Sequence, residues 1–201
     1  NPAILDKRLV YSGSTDTNSA ETFTSMKDLP PGTYTVDELI KSMIEGSDNN
    51  AADVLYANMD KSWLAEVYTD LGLGISPDGS PNTDSITTKQ YSYFFRILYS
   101  ATYLSPAYSE KALELLASAD FPQGLESTVP SSVTVANKFG ERTVYTPTGT
   151  LLNRELHDCG IIYAPNKPYL LCVMTRGKDF SALTNIIDTI GKTAYAEIQN
   201  R

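Results

Sequence analysis

The stretch ELHDCGIIYAPNKPYLLCVMTRG, residues Glu155 to Gly177, decides the fold class of this chain. Two runs of aliphatic and β-branched residues flank the turn-forming tetrapeptide APNK at residues 164–167, which is the pattern of a β-hairpin. Apolar side chains occupy both faces of each strand, so both faces of the sheet need cover from other parts of the chain. We therefore expect a sheet packed against helices.

The residues on either side of the hairpin supply a third strand and a closing helix. SSVTVANKFGERTVYT, residues 131–146, is rich in β-branched and aromatic residues and predicts a strand, and residues 181–201 have the spacing of an amphipathic helix. Helices that precede strands favour an α+β fold, with a helical cluster packed on an antiparallel sheet. We predict a single domain over residues 1–201, with residues 35–130 mainly helical and residues 131–201 forming the three strands and the closing helix.

Capping and stop signals divide the helical region into separate helices. Thr35 and Glu38 have the spacing of a capping box, and Thr87 and Gln90 repeat it farther along the chain. The sequence predicts helices over residues 36–44, 50–58 and 60–71, from residue 87, and from residue 105 to about residue 119, and a short strand at residues 7–13.

The composition excludes several function classes. The net charge is −8, which disfavours binding to a nucleic-acid phosphate backbone. No run of 18 apolar residues is present, so we expect no membrane span. Two cysteines and one histidine do not make a zinc site, and we expect no metal or other cofactor.

Cys159 and Cys172 are expected to face each other in the hairpin. If the strands pair symmetrically about Pro165 and Asn166, these two cysteines are cross-strand neighbours. They could be a disulfide or two reduced thiols, and we favour reduced thiols because cross-strand disulfides are often strained. The lone histidine, His157, is interpreted as structural.

Two short polar motifs stand out from this scaffold. Ser47-Asp48-Asn49 interrupts two apolar helical runs, and Lys138-Phe139-Gly140 lies in the strand over residues 131–146. Ser47 or Asp48 could simply cap the following helix, and a lysine on a strand commonly lies on a solvated face. Each motif alone is therefore weak.

Together, in this order, the motifs resemble those of a known family. YTVDELIKSMIEGSDNNAADVL, residues 34–55, is similar to the Ser-Asp-Asn segment of class A β-lactamases and related penicillin-recognising serine hydrolases. VANKFGER, residues 135–142, resembles the strand that carries their Lys-Thr-Gly motif, and the hairpin and last helix resemble the elements that follow it. The resemblance runs from about Lys7 to the end of the chain.

The resemblance implies a role for each motif residue. Ser47 would relay a proton to the leaving group, and Asn49 would orient the nucleophile's lysine and the substrate amide. Lys138 would supply positive charge toward a substrate carboxylate. Substrate binding would further involve Phe139, Gly140 and Glu141, the last through its backbone N–H as an oxyanion donor.

The chain departs from the family pattern at three places. It contains no Ser-x-x-Lys; the nearest match is Thr24-Ser25-Met26-Lys27. The resemblance implies that the nucleophile helix, the first helix and the first two strands would precede Asn1, so this chain alone is expected to be inactive. Phe139 replaces a hydroxyl residue, and residues 74–86 lack the Glu-x-x-x-Asn pattern of a deacylating base, since Asp78 and Asp84 are expected to form turns.

Three hypotheses follow from the motifs and the departures. The first is a β-lactamase-like serine hydrolase that performs acyl transfer on β-lactam or peptidoglycan-type amides. The second is a non-catalytic, penicillin-binding-like interaction module. The third adds self-association through an open sheet edge. By resemblance to the family, we expect an extracytoplasmic location.

Overall fold

The chain folds into two units, one formed by residues 1–90 and the other by residues 91–201. The computed structural model describes residues 2–23, 29–74 and 86–201. The Ser-x-x-Lys look-alike at residues 24–27 lies outside the described residues, as do Asp78 and Asp84.

The first unit combines a two-stranded sheet with three helices. Strand β1 (Arg8–Tyr11) pairs antiparallel with β2 (Gly32–Thr35), with Arg8 opposite Thr35 and Tyr11 opposite Gly32. The helices are α1 (Val36–Glu45), α2 (Asn49–Asn58) and α3 (Lys61–Asp70), and short 3-10 turns lie at Pro2–Ile4 and Asn18–Ala20. The predicted strand near residue 8 is confirmed, whereas β2 was not predicted.

Side-chain caps define where these helices begin. Thr35 forms the predicted capping box with Glu38, since each side chain accepts a hydrogen bond from the backbone N–H of the other residue. The Asp60 carboxylate accepts from the N–H of Ser62 at the start of α3. Gly72 follows α3 with φ +63°, a left-handed conformation that suits glycine at a helix end.

The core of the first unit lies between β1 and the first two helices. Leu9 of β1, Leu39 of α1 and Ala51 of α2 are buried against one another. Burial of such side chains is the main source of stability for helices of this length, which are marginal in isolation. The segment between α1 and α2 is therefore held from both ends.

The second unit contains the predicted three-stranded sheet and its helices. The elements are α4 (Thr88–Tyr99, of which residues from 91 belong to this unit), α5 (Pro106–Ala117), a 3-10 turn (Leu125–Thr128), β3 (Val135–Tyr145), β4 (Leu151–Ile162), β5 (Tyr169–Gly177) and α6 (Phe180–Asn200). The sheet is antiparallel with the order β3-β4-β5, and α6 packs on β4 and β5 while α5 contacts β3. The predicted α+β fold is confirmed.

The core of the second unit lies under the closing helix. Leu125, Leu156, Ile162, Leu183 and Ile187 are each at most 2% exposed. No helix in the described ranges combines the length and apolar character needed to cross a bilayer.

The hairpin register places the two cysteines as predicted, but their predicted redox state is wrong. Cys159 of β4 is directly opposite Cys172 of β5. The structure joins them by a disulfide bond rather than leaving two thiols. Direct cross-strand pairing brings the two sulfur atoms within reach of each other, which allows this bond to form.

Candidate active site

The polar residues in the turn between α1 and α2 are alternately partly buried and fully buried. Asp48 and Asn50 are 1% and 6% exposed, whereas Ser47 and Asn49 are only partly buried. Asp48 and Asn50 therefore lie in the interior of the turn, and Ser47 and Asn49 reach the surface.

The Asp48 carboxylate is the centre of the turn. It accepts hydrogen bonds from the amide of Asn18 at 2.9 Å, the hydroxyl of Ser42 at 2.8 Å and the N–H of Ala51 at 3.1 Å. The last of these makes Asp48 the N-cap of α2, which confirms the cap alternative for this residue. A buried carboxylate with several donors is held firmly, because removing any partner would leave a desolvated polar group.

Residues 16–21 form a polar bracket around the turn. Asn49 donates its backbone N–H to the Asn18 side-chain oxygen at 2.8 Å and its side-chain amide to Glu21 at 3.1 Å. Asn50 accepts from the N–H of Thr17 at 2.9 Å and donates to Asp16 at 3.1 Å. The sequence did not predict this bracket, because it joins residues about thirty positions apart through side chains.

Ser47 has a left-handed backbone, with φ at +54°. This conformation is uncommon for a residue that carries a Cβ and costs on the order of 1 kcal/mol. Such strained residues persist where the surroundings determine the backbone, and they cluster at functional sites. Here the surroundings are the end of α1 and the buried Asp48 cap.

Lys138 is a partly buried lysine on β3. Burial lowers the pKa of its ammonium to about 8, and the nearby Asp158 charge opposes that change. The Tyr91 hydroxyl donates to the Lys138 carbonyl at 2.7 Å, which ties α4 to this strand. Lys138 is therefore poised closer to neutrality than an ordinary surface lysine.

Phe139 lies in the interior of the second unit. Its ring is 6% exposed and stacks on Phe121, with the ring centroids 4.0 Å apart and the planes 18° apart. The Lys138 ammonium lies 4.6 Å from the Phe139 ring centroid, within range of a cation–π interaction. The residue that replaces the family's hydroxyl thus serves as a packing residue.

Asp158 is a buried carboxylate that the sequence analysis did not select. It accepts from the N–H of Leu125 at 2.7 Å and from the Asn137 amide at 3.0 Å. Burial raises its pKa to about 6, although these hydrogen bonds and the Lys138 charge act in the opposite direction. A Cβ on Gly124 would overlap the Asp158 carboxylate, so this close approach requires glycine. The sequence signal that could have identified Asp158 is an aspartate within a mostly apolar strand, in the segment HDCGII.

Gly140 and Glu141 follow on the same strand. A Cβ at Gly140 would meet no described atom within 4 Å, so packing inside the described chain does not require glycine there. Gly140 pairs with His157, and Glu141 pairs with Leu156, across β3 and β4. Among the described residues, no atom fills the space beside Gly140.

His157 has a structural contact, in agreement with its predicted role. Its Nδ1 accepts from the backbone N–H of Thr175 at 3.3 Å, and burial lowers its pKa. Within residues 2–23, 29–74 and 86–201, no group of three His, Cys, Asp or Glu side chains could hold a metal ion.

The selected site residues are divided between the two units. Ser47 and Asn49 belong to the first unit, and the second unit holds Lys138, Phe139, Gly140 and Glu141. Within the second unit, β3 brings the last four together with the Asp158 cluster. The approach of the Ser47 hydroxyl to the Lys138 ammonium stays a prediction.

Comparisons with known proteins agree with the fold. The model of a family described as the beta-lactamase enzyme family matches residues 3–198. The solved structure of PBP-A aligns with a TM-score of 0.75 at 17% identity, over 98% of this chain and 73% of that one. A class A beta-lactamase from Bacteroides cellulosilyticus DSM 14838 aligns at 0.71 with 19% identity, over 98% and 76% of the two chains.

A third solved structure, the TLA-3 extended-spectrum beta-lactamase, aligns with a TM-score of 0.73 at 20% identity. It matches over 96% of this chain and 76% of its own. No curated protein sequence matches the chain. At these identities the structural likeness bears on the fold alone.

Proposed function

Because this chain belongs to the beta-lactamase enzyme family, we propose that it contributes two parts of an acyl-transfer site for β-lactams or cell-wall peptide amides. The observation that carries the proposal is the turn at Ser47–Asn49. The buried Asp48 fixes this turn from inside and leaves Ser47 and Asn49 at the surface. The left-handed backbone of Ser47 is further support, since strained residues of this kind cluster at functional sites.

Ser47 is the proposed proton relay. Acyl transfer to a serine requires a proton to leave the nucleophile and reach the leaving nitrogen, and a hydroxyl can accept and donate in the same step. The Asn49 amide, held by Glu21, is the proposed orienting group for the substrate amide. A fixed turn suits both roles, since small displacements of positioning groups are costly in rate.

Lys138 and its strand are the proposed electrostatic part. The ammonium supplies positive charge toward a substrate carboxylate, and its lowered pKa eases proton movement near neutral pH. The open space at Gly140 allows a substrate to lie along β3, where the N–H of Glu141 serves as an oxyanion donor. The buried Phe139 acts by holding this strand on Phe121 rather than by hydrogen bonding.

The resemblance places the nucleophile in a Ser-x-x-Lys motif, and no such motif occurs in these 201 residues. The chain alone is therefore expected to hydrolyse no nitrocefin and to form no covalent adduct with benzylpenicillin by intact mass. Non-covalent binding of benzylpenicillin, followed by ligand-observed NMR, tests the site that remains. Lys138→Met should weaken this binding, and Lys192→Met, an exposed lysine of α6, is the matched control.

Two outcomes would contradict the acyl-transfer proposal. One is a penicillin adduct on any residue of the chain, since that would reveal a different nucleophile. The other is equal penicillin binding by the Lys138→Met variant and its control.

The second candidate function is a non-catalytic penicillin-binding-like module. The observation that favours it is Phe139, which occupies the place of a hydroxyl residue and is buried in the core. The coding sequence upstream of Asn1 discriminates the two candidates. An in-frame Ser-x-x-Lys supports the enzyme, and its absence supports the module.

The proposed location is extracytoplasmic. The Cys159–Cys172 disulfide supports it, because disulfides persist in oxidising compartments and are rare in the cytosol. Alkylation of thiols in intact cells, followed by mass spectrometry, tests it. Modification of both cysteines without added reductant would contradict the proposal.

Self-association through a sheet edge is a further part of the proposal. In the described part of the second unit, β5 has a neighbour on one side only, so its other side presents unpaired backbone groups. Pairing of two such edges would give a symmetric dimer. A strict monomer in size-exclusion chromatography at high concentration would contradict it.

A further inference from the structure

A surface groove in the second unit has no part in the proposed acyl-transfer site. It lies between the end of α4, α5 and one end of the sheet, with a volume of about 630 Å³. Pockets for small molecules typically have about 300–1,000 Å³. Every residue that lines it falls between residues 98 and 163, so the groove belongs to one unit.

The first feature of the groove is an unexplained hydroxyl. Ser109 of α5 lines the groove, is 2% exposed, and has a buried Oγ that forms no hydrogen bond within the described part of the chain. A helical serine commonly donates to the carbonyl four residues earlier. An unsatisfied buried hydroxyl costs about 1–3 kcal/mol, so a ligand that hydrogen-bonds to it would recover that cost.

The second feature is charge. Glu110 and Glu114 lie one turn apart on α5, and both line the groove. Among the described lining residues, the charged ones are these two carboxylates. Like charges at this spacing repel one another, and a bound cation relieves that repulsion. The net charge of −8 further favours the approach of a cation.

The third feature is a pair of aromatic rings. Tyr99 and Tyr163 line the groove with ring centroids 6.4 Å apart and planes tilted by 40°. Their faces offer an apolar surface that also attracts a cation. Leu113 adds aliphatic surface between the rings and the carboxylates along α5. Burial raises the pKa of Tyr163, so its hydroxyl remains neutral at physiological pH.

We propose that this groove is a second ligand site, which binds a small organic ammonium compound with an apolar body. The ammonium group lies against Glu110 and Glu114, the body lies on Tyr99 and Tyr163, and the Ser109 hydroxyl accepts or donates the remaining hydrogen bond. Neutral and anionic compounds of the same shape bind less well. The site does not depend on the proposed acyl-transfer function, and the two can fail separately.

The probe is 2-phenylethylamine, with 2-phenylethanol as its neutral analogue. Titration of the full 201-residue chain is followed by ¹H–¹⁵N NMR. The amine should cause saturable shifts centred on residues 98–101, 109–117 and 163, and the alcohol should bind several-fold more weakly. Added salt should reduce the difference between the two compounds, since exposed charges are screened.

Charge and hydroxyl variants test the assigned contacts. Glu110→Gln with Glu114→Gln should weaken amine binding by about three- to tenfold, the range expected for two exposed ion pairs. Glu197→Gln, an exposed carboxylate of α6, is the matched control and should leave binding unchanged. Ser109→Ala should weaken binding while leaving the free chain at least as stable, because an unsatisfied polar group is removed.

Four results would overturn the proposal. They are equal binding of the amine and the alcohol, shifts that lie outside the groove, glutamine variants that bind as well as the control, and no saturable binding at millimolar amine. A Ser109→Ala variant that is less stable and binds the amine unchanged would likewise overturn the contact assigned to Ser109.

Discussion

The ring of Phe139 stacks on the ring of Phe121, with centroids 4.0 Å apart, and is 6% exposed to solvent. This pair anchors β3 to the segment that follows α5. The residue at which this strand departs from the Lys-Thr-Gly pattern that it resembles is therefore a core residue, and the departure has a structural consequence that can be measured.

Restoring the family's hydroxyl should destabilise the fold. Phe139→Thr removes the stacked ring and should lower the free energy of unfolding by about 3 kcal/mol, as for other large-to-small core changes. Urea denaturation followed by circular dichroism measures the change. Tyr145→Thr, on the same strand but 56% exposed, should cost less than about 0.5 kcal/mol. A Phe139→Thr cost as small as that of the control would show that the stack contributes little.

Asp158 should make the fold less stable as the pH rises, which is the opposite of the usual effect of a carboxylate. Its pKa is raised from 3.8 to about 6, so the folded chain holds this proton more tightly than the unfolded chain does. The stability that comes from the bound proton is full below about pH 4 and is lost as the pH rises through about 6.

Asp158→Asn removes this titration and keeps an oxygen that can accept from Leu125. From about pH 4 to about pH 7, the free energy of unfolding of the variant should rise relative to that of the natural chain by on the order of 2 kcal/mol. Urea titrations of both proteins at both pH values measure this difference. The contributions of the other carboxylates are the same in the two proteins and cancel. An offset that does not change with pH would contradict the assignment.

Ser47 should tolerate glycine better than alanine. Glycine adopts a left-handed backbone without penalty, so Ser47→Gly should be about 1 kcal/mol more stable than Ser47→Ala. Both variants lack the hydroxyl, and the comparison therefore isolates the backbone. Equal denaturation midpoints for the two variants would mean that the turn is not strained.

Two glycines near β3 should respond in opposite ways to alanine. Gly124→Ala forces a Cβ onto the Asp158 carboxylate and should cost about 1–3 kcal/mol. The Cβ added by Gly140→Ala would contact no described atom. This variant should leave the free energy of unfolding unchanged or raise it by up to about 1 kcal/mol. If Gly140 borders a substrate, the same variant should weaken penicillin binding, and thermal shift together with NMR titration separates the two effects.

Local signals were read correctly from the sequence. The Thr35 capping box and the hairpin register depend on residues that are close in the chain or symmetric about a turn, so their patterns are visible without a structure. The α+β class followed from the order of such elements.

Features that depend on distant partners were missed. Strand β2 has four residues and exists because it pairs with β1, about twenty-four positions earlier along the chain. The Asp158 cluster joins residues 33 positions apart, and the bracket around Asp48 joins residues 30 apart. The inward direction of Phe139 depends on Phe121, which no local pattern indicates.

The hydrogen bonds between residues 16–21 and the turn residues Asp48, Asn49 and Asn50 join two stretches that are distant in sequence into one rigid substructure. Substitution of Asn18 or Glu21 should therefore disturb the position of the Asn49 side chain. Mutations that suppress a defect in one stretch should arise in the other, so the two stretches should covary in sequence.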